Sequence, residues 1–304
     1  MAWQPVVRAH EPGMAPPPIA PAEWVTEVQT LQELVPMAHG NLAKEHWDYL
    51  VGGSETETTV KRNRLAIEEI GLRPRVLRRV PQIELGATVL GQPLSLPLIL
   101  APIGGLEAFA DEGAATAADA AAEAGVMMCL SSACQPGPVK TAAAAPSGSP
   151  KIFQLYVRGD REFIAAQVAT AQANDYQVFC LTVDTQLYSR RERDVSISPV
   201  VCHHALSDAD RCCQQFLNRF AKPWRAQADD ARTSQAAHQA ALSWDDVEWF
   251  KATYPDYPLL LKGIATAEDA ELAVELGVDG VCALCPHSLQ LHEPCRSLAL
   301  LSCR

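Results

Sequence analysis

The chain has 304 residues, 48% of them hydrophobic, and a formal net charge of −11. That length holds one large α/β domain or two small ones with a sizeable core. The acidic balance argues against a nucleic-acid or anionic-membrane surface. No apolar run approaches the ~18 residues of a membrane-spanning helix, and the N-terminus lacks the apolar core of a secretory signal.

Residues 1–22 are Pro- and Ala-rich and read as disordered. Helical pattern starts near Val25. Asn41 can cap a helix through Leu42, His46 and Tyr49 that stops at Gly52-Gly53. Tyr49 at that end is either a core aromatic or a ligand-facing hydroxyl. A helix over about 57–70 follows, then an extended lead-in at 72–75 and a small β element at 88–93.

From here the chain repeats one unit. Leu96 to Ala101 is a short buried strand ending in Pro102-Ile103-Gly104-Gly105, small enough to admit a flat ligand. Asp111 can cap an Ala-rich helix ending at Gly125. Strand 126–130 runs into Ser131-Ser132, and a short helix spans 139–144. Strand 151–157 places Gln154 and Tyr156 on one face. Helix 161–173 feeds the apolar strand of Val178 to Val183, which ends at Thr182 and Asp184 with Arg190, Arg191 and Arg193 just beyond. That end reads either as an oriented carboxylate beside an anion-binding loop or as a solvated charge run. Helix 244–253, strand 259–263 with its lone Lys262, helix 266–276 and a strand from Gly280 complete the series. Thr266 and Asp269 form a capping box.

Such strand–helix alternation implies a parallel sheet. No G-x-G-x-x-G follows the first strand, so a dinucleotide-binding domain is not supported. Polar residues at every strand's C-terminal end fit an α/β fold of the (β/α)8 TIM-barrel type. About six strands are visible, which leaves the barrel C-terminally incomplete behind a helical N-terminal segment.

The motifs Trp47-Asp48-Tyr49-Leu50-Val51-Gly52-Gly53, Leu100-Ala101-Pro102-Ile103-Gly104, Leu130-Ser131-Ser132, Phe153-Gln154-Leu155-Tyr156, Leu181-Thr182-Val183-Asp184, Arg190-Arg191-Glu192 and Leu261-Lys262-Gly263 occur in one order. Together they resemble the FMN-dependent α-hydroxy-acid dehydrogenase and oxidase family, which includes glycolate oxidase, lactate oxidase, lactate monooxygenase and mandelate dehydrogenase. The resemblance implies oxidation of a small L-2-hydroxy acid, lactate-like, to the 2-oxo acid. It implies that Pro102, Ile103, Gly104, Ser131, Gln154, Thr182 and Lys262 hold FMN. Tyr49, Tyr156 and Arg191 would bind substrate, with Tyr156 and Asp184 as the catalytic pair present. Asp184 would orient a catalytic histidine. Ala133 stands where plant glycolate oxidases carry a bulky aromatic, which favours lactate or larger. Gly104 stands where many oxidases carry alanine. The electron acceptor is oxygen or another, unidentified partner, and family members are often homo-oligomers. Neither nucleic acid nor membrane is an expected partner.

Two stretches depart from the family. After Gly280 the family reads Ser-Asn-His-Gly-x-Arg. Here Pro286 takes the histidine's place and Leu289 the arginine's, and His287 is one residue late. Residues 195–215 interrupt text that is continuous in the family, and begin with Val and end with Gln as a translated intron would. The tail 281–304 has the same character. The expected organisation is thus a barrel over 23–280, with 195–215 an irregular insert and 281–304 a non-family tail. Turnover by this chain is expected to be impaired. A catalytically inactive flavin-binding barrel and a non-functional truncated product are the alternatives. Cys282, Cys285, His287, His292 and Cys295 have metal-ligand chemistry, but their spacing fits no familiar zinc pattern, and no metal is expected. The terminal Ser-Cys-Arg is not a clear peroxisomal signal. Cytoplasm is the default location, with peroxisome and mitochondrion as alternatives.

Overall fold

The computed structural model describes residues 28–186, 191–193, 237–283 and 299–302. The insert at 195–215 and the positions Pro286, His287 and Leu289 lie outside the described residues. The chain divides into two units, residues 1–51 and 52–304.

The first unit contributes α1 (Leu31–Asn41) and α2 (Lys44–Val51). Thr30 and Glu33 close a capping box at the start of α1. The helix expected before Gly52-Gly53 is α2, but the expected Asn41 cap is corrected: Asn41 is the last residue of α1, and the backbone turns extended at Leu42 (φ −93°, ψ 141°) before α2.

The second unit begins with α3 (Thr58–Glu68) and a hairpin of β1 (Ala87–Val89) and β2 (Gln92–Leu94). A seven-stranded sheet follows in chain order: β3 (Ile99–Leu100), β4 (Met127–Ser131), β5 (Lys151–Leu155), β6 (Val178–Thr182), β7 (Leu259–Lys262), β8 (Gly280–Ala283) and β9 (Ala299–Ser302). β3 to β8 pair in parallel and curl into a half-barrel, and β9 returns antiparallel along β8. Between them run α4 (Ala114–Glu123), α5 (Pro138–Ala144), α6 (Arg161–Ala173), α7 (Trp244–Thr253) and α8 (Ala267–Glu275).

Side-chain alternation splits the interior in two. Leu130, Phe153, Leu155, Phe179, Leu181, Leu259 and Leu261 point outward into the core shared with α4, α6, α7 and α8. Phe179 is central there, with its ring 5.3 Å from Phe250 and 5.9 Å from Phe153. Met127, Cys129, Ile152, Val178, Cys180 and Leu260 point inward and pack with Leu94 of the hairpin. The hairpin therefore lies against the apolar N-terminal half of the half-barrel. Beyond it, at the C-terminal ends, the inward positions become polar.

Caps explain several boundaries. The Asp160 carboxylate accepts from the Phe163 N–H at the start of α6, and Ser243 with Asp246 closes a capping box on α7. The expected Asp111 cap is corrected: α4 starts after Gly113, whose φ of 53° is left-handed. A Cβ at Gly113 would lie 2.5 Å from the Gln135 carbonyl oxygen, so the site requires glycine.

Replacing Phe179 by alanine removes the centre of the outer core. The expected cost is about 3–5 kcal/mol, read as a lower denaturation midpoint in urea.

Candidate active site

The inward strand-end positions meet because the strands are in register. Ser131 of β4 lies beside Gln154 of β5, and Thr182 of β6 beside Lys262 of β7. Ser131, Gln154 and Thr182 are buried, and Asp184, two residues beyond β6, is buried as well. Four polar groups are thus withdrawn from water at one end of a half-barrel. Burial of that kind is unfavourable unless the groups are hydrogen-bonded or serve a ligand.

Their partners are incomplete. Gln154 Nε2 donates to Thr182 Oγ1. Among the described residues, Gln154 Oε1 is buried with no hydrogen-bond partner. Ser131 Oγ accepts from the Ala133 N–H at 3.2 Å, which leaves its own proton to donate. Lys262 Nζ stands 3.8 Å from Asp184 Oδ2, at the outer limit of an ion pair.

The two partners of that pair respond differently. Burial pushes the Asp184 acid above its usual range, and Lys262 and the Thr185 hydroxyl offset this only in part. For Lys262, burial opposes the charge, but Asp184, Tyr156, Cys180 and Cys282 outweigh it and hold the ammonium above its usual value. Lys262 is therefore a fixed cation at neutral pH. The charged form of Asp184 is disfavoured by its burial.

The loops are bound tightly around this pair. The Val183 N–H donates to the Lys262 carbonyl at 2.9 Å. Gly263, at φ 112°, packs against Asp184, and a Cβ there would fall 2.6 Å from Asp184 Cγ. Only glycine fits. The Gly105 N–H reaches the Ala133 carbonyl at 3.1 Å, which ties the Pro102–Gly104 turn to the end of β4. A Cβ at Gly104 would meet Ala133 Cβ at 3.4 Å, an ordinary contact, so an alanine would fit there.

The structure thus brings Gly104, Ser131, Gln154, Thr182, Asp184 and Lys262 to one end of the strands. Tyr156, just beyond β5, is half-buried and close enough to influence the charge of Lys262. Pro102 and Ile103 lie on the turn after β3, with Ile103 partly exposed. Arg191 is buried, and its backbone pairs with Glu55. Tyr49 lies on α2, in the first unit.

One residue of this neighbourhood escaped the sequence reading. Gln239 is buried, accepts from the Val157 N–H at 2.7 Å and donates to the Thr182 carbonyl at 2.8 Å. It staples the segment after Tyr156 to the strand end before Asp184. A lone glutamine 57 residues from one partner and 82 from the other leaves no local pattern. Among the described residues, no group of His, Cys, Asp and Glu could hold a metal ion, and no helix is long and apolar enough to cross a membrane.

Residues 38–283 match the family model described as FMN-dependent dehydrogenase. An L-lactate oxidase of Nostoc sp. is 37% identical over 255 residues, which are 83% of this chain and 68% of that one. A peroxisomal (S)-2-hydroxy-acid oxidase of Oryza sativa subsp. indica is 36% identical over 263 residues, 84% of this chain and 66% of that one. The chain therefore spans about two thirds of the length of these curated relatives. A crystal structure of mandelate oxidase superposes with a TM-score of 0.69 at 28% identity, covering 87% of this chain and 71% of that one. A flavocytochrome b2 structure, at 23% identity and a TM-score of 0.72, shares the fold.

Because the Asp184 acid is raised, its ionised form costs the fold stability at pH values above its folded pKa, and the cost vanishes on protonation. Asp184→Asn is therefore expected to melt at the same or a higher temperature than the parent at pH 7. Its advantage should shrink as pH falls, in paired melts from pH 7 to pH 4.

Proposed function

The chain belongs to the FMN-dependent dehydrogenase family, and on that premise we propose that it holds FMN at the polar strand ends and acts on a small L-2-hydroxy acid, forming the 2-oxo acid. The observation that carries the reading is the orphaned Gln154 Oε1. A wholly buried carbonyl oxygen without a donor is costly in the free protein. The polar edge of an isoalloxazine ring has an N–H to offer it. Gln154, the Ser131 and Thr182 hydroxyls, the cationic Lys262 and the Pro102-Ile103-Gly104 turn therefore form a donor and acceptor set that fits this group. When bound, FMN supplies the acceptor for a hydride equivalent.

The rest of the chemistry falls to the chain. Lys262, held as a cation, would offer positive charge to a bound flavin and so favour its electron-rich reduced form. Arg191 receives the substrate carboxylate, for which a guanidinium offers two parallel donors. Tyr156, close enough to influence the charge of Lys262, offers its hydroxyl to the substrate. Asp184 orients a basic group and stabilises it once protonated. Ala133 beside Gly104 leaves room for a side chain larger than that of glycolate, so a lactate-like acid is favoured. Oxygen, as for the relatives named oxidases, is the proposed acceptor.

The base itself is the weak point. Pro286 stands at its place in the family's run and Leu289 at that of the second arginine. A positioned base contributes about 10²–10⁴-fold. A catalytically silent flavin-binding barrel is accordingly the second reading, and Pro286 is what favours it. The rice relative is named peroxisomal, which makes the peroxisome an alternative to the cytoplasm for this chain.

Reconstitution with FMN and assay on L-lactate, glycolate and mandelate tests both readings. The chain is expected to bind flavin weakly and to turn over at least ~10²-fold more slowly than its Pro286→His/Leu289→Arg variant. Lys262→Met should abolish turnover in that variant. Equal rates for the chain and the double variant would contradict the assignment of the base. Failure of either to bind FMN would remove the cofactor reading.

A further inference from the structure

Glu57 lies outside the set gathered at the strand ends, yet its placement is unusual. It precedes α3 in left-handed backbone at φ 59°, and Glu55, two residues earlier, is left-handed at φ 49°. Residues other than glycine occupy this region only when their surroundings hold them there. The turn is closed by the Glu57 N–H on the Ser54 carbonyl at 3.0 Å and by the Gly53 N–H on Glu57 Oε1 at 3.4 Å. A Cβ at Gly53 would collide with the side chain of Val60.

Two links run from this turn to residues 191–193. The Glu55 backbone forms a parallel bridge with Arg191. The Glu57 carboxylate receives the Arg193 guanidinium as a fork, Nη2 on Oε2 at 2.8 Å and Nε on Oε1. The fork holds the Glu57 acid below its usual range, against the opposing effect of burial. Arg193 is 41% exposed in its side chain and Glu57 17%, whereas Arg191 is 8% exposed. A partly solvated pair adds little to global stability. Its consequence is local: a bidentate fork fixes orientation, and it does so two residues from a buried arginine.

We propose that Glu57 is a positioning residue for the substrate carboxylate: its fork with Arg193, acting with the Glu55–Arg191 bridge, sets the place of the Arg191 guanidinium. This rests on the reading above in which Arg191 receives that carboxylate. Glu57 touches no substrate. Strained backbone at Glu55 and Glu57 is the structural cost of aiming two links at one short segment. When the fork is lost, Arg191 keeps its charge and loses its place.

The test is titration of pyruvate, a 2-oxo acid of the product class, into the FMN-loaded chain, followed by calorimetry. Arg191→Met should abolish measurable binding. Glu57→Gln should weaken it by about 5- to 50-fold, because small misplacements of a clamp are costly, while FMN affinity stays at the parent value. The charge exchange Glu57→Arg with Arg193→Glu rebuilds the pair and should recover most of the loss. In the Pro286→His/Leu289→Arg background, Glu57→Gln should raise KM with kcat nearly unchanged, the mark of an interaction made equally in ground and transition states. Parent-like pyruvate affinity in Glu57→Gln, or a loss that the charge exchange does not recover, overturns the proposal. Parent-like affinity in Arg191→Met overturns the reading of Arg191 and this proposal with it. Loss of FMN affinity in Glu57→Gln also counts against it, since that marks a general structural role.

Discussion

The central strands are buried on both faces, and the rest of the structure answers that constraint. A strand in this position must present an apolar residue at every position or find a partner for each polar one. β4 to β7 meet the requirement on their outer face with aliphatic and aromatic side chains under the helices. On their inner face they meet it only over the first half, where the β1–β2 hairpin packs. At the other end serine, glutamine, threonine and lysine point inward. The Gln154–Thr182 bond, the Asp184–Lys262 approach and the Gln239 staple satisfy part of their demand. Among the described residues, the Gln154 oxygen is left without a hydrogen-bond partner.

The same constraint decides what could be read from the sequence. β4 to β7 are legible as near-continuous apolar runs, and α6 and α7 match their expected limits because Asp160 and Ser243 cap them. The small residues Gly113 and Gly263 are chosen by close approach of distant atoms, so Asp111 was the more obvious cap and the wrong one. β3 is only two residues long although the apolar run extends over Leu96 to Ala101, because pairing with β4 covers Ile99 and Leu100 alone. The strand-end set is legible as polar residues closing apolar runs; the roles of its members come only from the resemblance to a family. Gln239 and the Glu57–Arg193 fork, 136 residues apart, act entirely through tertiary proximity and left no local pattern.

The last strand shows the edge problem plainly. β8 would end the parallel sheet with a row of unpaired backbone groups, which favours association with other chains. Ala299–Ser302 pairs with it instead, Val281 opposite Leu301 and Cys282 opposite Leu300. The pairing is antiparallel, unlike that of every other strand in this sheet. The strand expected from Gly280 is β8; the return strand Ala299–Ser302 carries no signal that sets it apart within the non-family tail.

The account holds that a buried polar group was kept at the strand ends for a ligand rather than for the fold. Replacing Gln154 by methionine, similar in volume and free of the orphaned acceptor, separates the two roles. FMN affinity and melting temperature of the flavin-free chain are measured together for parent and variant. The account predicts that FMN affinity falls at least ~10-fold, the worth of one good buried hydrogen bond, while the flavin-free chain melts at the parent temperature or above. Parent-like FMN affinity in Gln154→Met, with a lower melting temperature, would show that Gln154 serves the fold and would contradict the account.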